Sequence, residues 1–134
     1  MEIDKKHITK ENAYLILYWC IEEFGRSKLN GKYPHVEFDV ADDEEEDLMA
    51  YYDDFEDTIY LYPAHEGLVT LTDLVKTIIH EYAHYRFHSM AEYNVLAKYL
   101  PYNKNPLEKD AVKYEKKYYK KCLKFLKKNH GLEE

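Results

Sequence analysis

The sequence predicts an α+β fold: a small antiparallel sheet packed on a histidine-bearing helix, with further helices flanking it at the N- and C-terminal ends. Three observations carry this. Apolar residues recur at spacings of three and four near both ends of the chain and again from Leu71 to about Met90, the period of helices with one buried face. Between the first two of these segments Val36, Phe38 and Val40 alternate with polar residues, and two aromatic-rich runs follow, which is the pattern of half-buried strands. At 134 residues the chain suits a single domain spanning 1–134, able to bury roughly two thirds of its unfolded surface.

The first helix begins at Thr9, a good N-cap, and carries Ala13, Leu17, Cys20 and Phe24 on one face before Gly25 ends it. The turn-rich stretch Asn30-Gly31-Lys32-Tyr33-Pro34 leads into the strand at Val36 to Val40. Leu48 to Tyr52 and Thr58 to Tyr62, separated by Asp53-Asp54-Phe55-Glu56-Asp57, read as a hairpin. Thr70 and Asp73 have the spacing of a capping box, so a helix starts there and runs to about Met90. A shorter helix follows from Ala91 to Leu100. The last helix opens at Asn105-Pro106-Leu107-Glu108 and extends to about Lys128, with Leu107, Ala111, Tyr114, Tyr118, Cys122 and Phe125 as its apolar stripe.

Composition narrows the function classes. The formal charge is −7, which disfavours direct nucleic-acid binding, since phosphate contacts need clustered cations. Acidic residues crowd the run Asp42-Asp43-Glu44-Glu45-Glu46-Asp47 and lysines fill 109–128. Their ordinary explanation is a solvated loop and the wet face of an amphipathic helix; the functional one is a lure for basic substrates, or a docking pad for the lysine-rich helix. No apolar run has the length of a membrane span and Met1 to Lys6 lacks the apolar core of a signal peptide, so a cytoplasmic location is expected. Cys20 and Cys122 stand apart at helix core positions and read as reduced thiols.

The chemistry concentrates in His80-Glu81-Tyr82-Ala83-His84. On a helix the two histidines lie about 6 Å apart along the axis and on one face, so both rings reach one ion. Zinc accepts neutral imidazole nitrogens and, at a catalytic site, three protein ligands plus a water. Glu81 falls on the side where that water sits, placed to take its proton during attack on a carbonyl. Two histidines that merely satisfy local hydrogen bonds are the bland explanation.

The run Thr77-Ile78-Ile79-His80-Glu81-Tyr82-Ala83-His84-Tyr85 resembles the active-site helix of the zincin metallopeptidases. Arg86 stands where that family usually has a hydrophobic residue. The resemblance implies a minimal zincin-like domain holding one zinc ion, a peptide or protein substrate, and an edge strand beside the metal; Thr58 to Tyr62 is the candidate strand.

A third ligand must come from elsewhere. His88 would lie about 12 Å along the helix axis from His80 and cannot share the ion with both. Phe87 and Met90 occupy the positions where an elongated metzincin motif needs glycine and histidine, and His130 lies close to the chain end. A carboxylate downstream of the motif is favoured: Glu108, Asp110 or Glu115. Glu108 also completes a capping pattern with Asn105. The segment Glu108-Lys109-Asp110-Ala111-Val112-Lys113-Tyr114 is similar to the third-ligand helix of the ImmA/IrrE-type neutral zinc metallopeptidases. That resemblance, which takes in 48–115, implies Glu108 as the ligand. It departs at Val112, where an asparagine is usual, and Glu115 is left for a supporting place behind the ligands.

The leading expectation is a zinc-dependent endopeptidase with His80, His84 and Glu108 on the metal and Glu81 as base. A non-catalytic, zinc-stabilised protein-interaction module is the alternative, and an inactive zincin-like fold a third. Tyr99, Tyr102 and Tyr114 are candidates for stabilising a developing oxyanion, with none preferred, and His65 could line the cleft. Oligomeric state is not readable.

Overall fold

The computed structural model of the chain describes residues 4–26, 34–39 and 48–134. The acidic run 42–47, the turn residues 30–33 and Val40 of the predicted first strand lie outside the described residues.

Helix α1 (Lys10–Phe24) starts where its cap predicts, with Thr9 Oγ1 accepting from the Asn12 amide at 3.1 Å. Gly25 ends it at φ 81°, a left-handed value that suits glycine. The carbonyls left at the end of α1 are met from another helix. The Tyr82 hydroxyl donates to Gly25 O at 2.5 Å and Arg86 Nε to Phe24 O at 2.9 Å. Arg86, the odd residue in the motif helix, thus caps α1.

Strand β1 (His35–Phe38) pairs in parallel with β3 (Thr58–Leu61), and β2 (Ala50–Asp53) pairs antiparallel with β3 across the hairpin. The strand order is β1-β3-β2. The expected antiparallel sheet is therefore mixed. Alternation in a sequence reports which face of a strand is buried, not the direction of its neighbour. The hairpin turn is held by Asp53 Oδ1, which accepts from the amides of Phe55 and Glu56 at 2.9 and 3.1 Å. Asp57 takes a positive φ of 54° there, which aspartate tolerates better than most residues.

Helix α2 (Leu71–Phe87) packs against α1, α4, β2 and β3. Its capping box is formed: Asp73 N–H donates to Thr70 Oγ1 at 3.1 Å and Thr70 N–H to Asp73 Oδ2 at 2.9 Å. Leu71, Leu74, Val75, Ile78, Ile79, Tyr82 and Ala83 are fully buried, so α2 is the core's central rod. It stops three residues earlier than its periodicity suggests. Ser89 Oγ accepts from the Glu92 amide at 3.3 Å and opens α3 (Met90–Tyr99), so the chain breaks at His88, which is extended at φ −116° and ψ 145°. A single 3₁₀ turn (Tyr102–Lys104) leads to α4 (Pro106–His130). Cys20 and Cys122 are free thiols buried in the core, as expected from their helical positions.

Candidate metal centre

His80 and His84 come from successive turns of α2, with ring centroids 5.0 Å apart. Glu108 comes from the first turn of α4. One ligand atom from each of the three lies within 4.8 Å of the others, and all three residues are buried. The Glu108 carboxylate is shared: its Oε2 stands 3.2 Å from His80 Nε2, and its Oε1 pairs with His84 Nε2. This buried group has the arrangement to hold a metal ion, while its members also form ion pairs with one another.

Local chemistry explains why Glu108 faces inward. Asn105 caps α4 through its side chain, accepting from the Leu107 amide at 3.0 Å, and Pro106 occupies the first helical turn. The Asn105 amide is already bonded to Tyr102 O at 3.2 Å. Glu108 does not close back on its own helix start, and its carboxylate is turned to the histidines instead.

The other two carboxylates weighed as ligands stand further out. Glu115 Oε2 lies 2.5 Å from His80 Nδ1, behind the ring. Asp110 Oδ2 lies 2.7 Å from His88 Nε2, and His88 Nδ1 lies 2.9 Å from His84 Nδ1. His88 is thus outside the metal group, as its spacing requires, but touches one of its members.

Electrostatics separate the two histidines in the metal-free chain. Burial opposes a charge on His80, but hydrogen bonds to Glu108 and Glu115 outweigh it and raise the ring to about 10. Burial lowers His84, with Glu108 partly offsetting. Burial also works against the Glu108 carboxylate, which hydrogen bonds from His80, His84 and Tyr102 nevertheless hold well below the usual carboxylate range. Glu81, buried beside them, is pushed up to about 7 by desolvation, and the Tyr52 amide donates to it.

A cleft of about 560 Å³ opens on the His80 side, lined among others by Met49, His65, Glu81, Tyr102 and Val112. A smaller recess of about 160 Å³ continues on the His84 side past Glu81, Tyr52 and Tyr93. His65 therefore lines the cleft, with its Nδ1 accepting from Gly67 N–H at 2.9 Å. The strand along this cleft is β2. Thr58 to Tyr62 cannot be the edge, because β3 is paired on both sides. Tyr62 N–H bonds Met49 O at 2.9 Å, so alternation along the antiparallel pair turns the backbone groups of Ala50 and Tyr52 away from β3. The Tyr52 amide reaches Glu81 in just this direction.

Of the three candidate tyrosines, Tyr102 lines both parts of the cleft and donates to Glu108. Tyr99 is exposed, and Tyr114 stacks on Phe87 at 4.7 Å. Tyr93 was not among those candidates. It also hydrogen-bonds Glu108 and packs edge-on against His84 at 5.3 Å. A signal for the supporting carboxylate was available: Glu108, Ala111, Glu115 and Cys122 share one helical stripe, and acids on an inward stripe ask for partners.

No protein-family model matches the chain, and neither the curated proteins nor the solved structures contain a significant match to it. Among the described residues no helix is long and apolar enough to cross a membrane.

Proposed function

We propose that the chain is a zinc-dependent endopeptidase of the glutamate-third-ligand zincin type. The observation that carries this reading is the convergence of His80, His84 and Glu108 on one point while Glu81 borders the same cleft without joining them. Two imidazoles and a carboxylate suit zinc, and three ligands leave a position for water. A structural site would be closed by a fourth protein ligand; among the described residues the group has three members.

Bound zinc would supply Lewis acidity toward a substrate carbonyl and lower the pKa of a coordinated water. The rest falls to the chain. Glu81, buried beside the ligands, would accept the water's proton and pass it to the leaving amine. Ala50, with backbone groups turned outward from β2, offers an extended peptide a strand to pair with. Tyr102, which borders both parts of the cleft, would donate to the oxyanion as it develops.

The test is metal analysis combined with cleavage of casein or a peptide library. Wild-type protein should hold about one zinc per chain and cleave. Glu81→Gln should keep the metal and lose cleavage, and Glu108→Gln should lose metal. Cleavage that survives Glu81→Gln would remove the proposed base from the mechanism.

A further inference from the structure

We propose that His88 and Asp110 are positioning residues that act on the metal through His84. The inference rests on the metal-site reading above and goes beyond its ligands and base.

His84 Nε2 faces Glu108 and the common point, so as a ligand this nitrogen must present its lone pair. The ring proton then belongs on Nδ1. That atom stands 2.9 Å from His88 Nδ1, which must accept. The remaining proton of His88 is therefore on Nε2, where it donates to Asp110 Oδ2 at 2.7 Å. Each step fixes the next, and the chain ends on a carboxylate. Such outer partners hold a ligating imidazole in one tautomer and one orientation.

The fold builds this relay where α2 ends. On an uninterrupted α2 His88 would sit a full turn above His84 with its ring pointing along the same face. The break at Ser89 lets the backbone turn extended at His88 while its amide still reaches His84 O at 3.3 Å. The His88 side chain is 3% exposed. Asp110 is two residues from Glu108 on α4, so the helix that delivers the third ligand also delivers the end of the relay. The two ligand rings are consequently unequal. His80 has a carboxylate directly behind it, whereas His84 has the His88 ring, with the carboxylate one step further away.

The experiment uses the full chain in four forms: wild type, His88→Leu, His88→Asn and Asp110→Asn. Zinc affinity is read by competition with a chromophoric chelator, and ligand geometry by the absorption bands of the cobalt(II)-substituted protein. His88→Leu should bind zinc ten- to a hundredfold more weakly and shift the cobalt bands. In His88→Asn the amide oxygen stands where Nδ1 stood and accepts from His84, so affinity and spectrum should largely return. Asp110→Asn should fall between. A residue that merely fills the end of α2 would lower the melting temperature without moving the cobalt bands. If His88→Leu does not fold, Asp110→Asn decides alone, because Asp110 is 40% exposed. Wild-type affinity and an unshifted spectrum in Asp110→Asn, or in both variants, overturn the proposal. The wild-type arm is read first: failure there to bind zinc at all defeats the metal reading and this inference with it, and is distinguishable from a relay that has no effect.

Discussion

Glu115 Oε2 lies 2.5 Å from His80 Nδ1, on the side of the ring away from Glu108. The imidazole is therefore gripped at both nitrogens, by one carboxylate that would share the metal and one that would not. Glu115→Gln keeps the shape of the partner and removes its charge. Zinc affinity should drop about ten- to a hundredfold, measured by chelator competition. An unchanged dissociation constant would mean that the pair matters to the metal-free fold alone.

The same pair predicts how metal binding depends on pH. In the metal-free chain His80 titrates near 10, so at pH 7 its ring carries both protons. A metal must displace one. Zinc uptake should release protons at pH 7, seen by calorimetry in buffers of different ionisation enthalpy, and affinity should rise with pH from 7 toward 10. The stability of the metal-free chain runs the other way. A folded value near 10 against an ordinary 6.5 means that the His80 pairing contributes fully below about pH 6.5 and is lost as pH rises through 10. The melting temperature in the presence of a chelator should therefore fall across that window. A flat profile would show that His80 is not held protonated.

What the sequence revealed of this site follows the range of the interactions. His80, Glu81 and His84 are neighbours on one helix, so their geometry is set by the 3.6-residue period alone. The Thr70–Asp73 box and the Thr9 cap are equally local, and both formed as expected. The edge strand is β2 and not the expected Thr58–Tyr62, because strand order depends on where β1 docks, and nothing within Thr58–Leu61 encodes that. The roles of Glu108, Asp110 and Glu115 depend on how α4 is rotated against α2. Spacing puts Glu108 and Glu115 on one stripe of α4 and Asp110 on another, but it does not name the partners they meet.

Tyr102 has two possible duties that kinetics can separate. Its hydroxyl reaches Glu108 in the metal-free chain, and its ring borders both parts of the cleft beside Glu81. As an oxyanion donor its loss is felt in the transition state: Tyr102→Phe should reduce kcat by about a hundredfold with KM little changed. Tyr99→Phe, at an exposed position, serves as the control and should be silent. If Tyr102→Phe instead weakens zinc binding and spares kcat in the loaded enzyme, the hydroxyl serves Glu108 and not the substrate.

Tyr82 and Arg86 test whether burial decides the value of a helix cap. Both serve the end of α1, Tyr82 through Gly25 O at 2.5 Å and Arg86 through Phe24 O at 2.9 Å. The Tyr82 side chain is fully buried and Gly25 half-buried, so Tyr82→Phe leaves a ring in place that keeps water from the hydroxyl's position, and the unmet carbonyl should cost about 1–3 kcal/mol. Arg86 is half-buried, and water can replace its guanidinium once the side chain is gone. Arg86→Leu should therefore cost less, on the order of 1 kcal/mol. Urea unfolding reads both as a lower midpoint at unchanged slope. The reverse ranking would mean that the charge of Arg86, acting on the negative end of the α1 dipole, outweighs the desolvation that this ordering assumes.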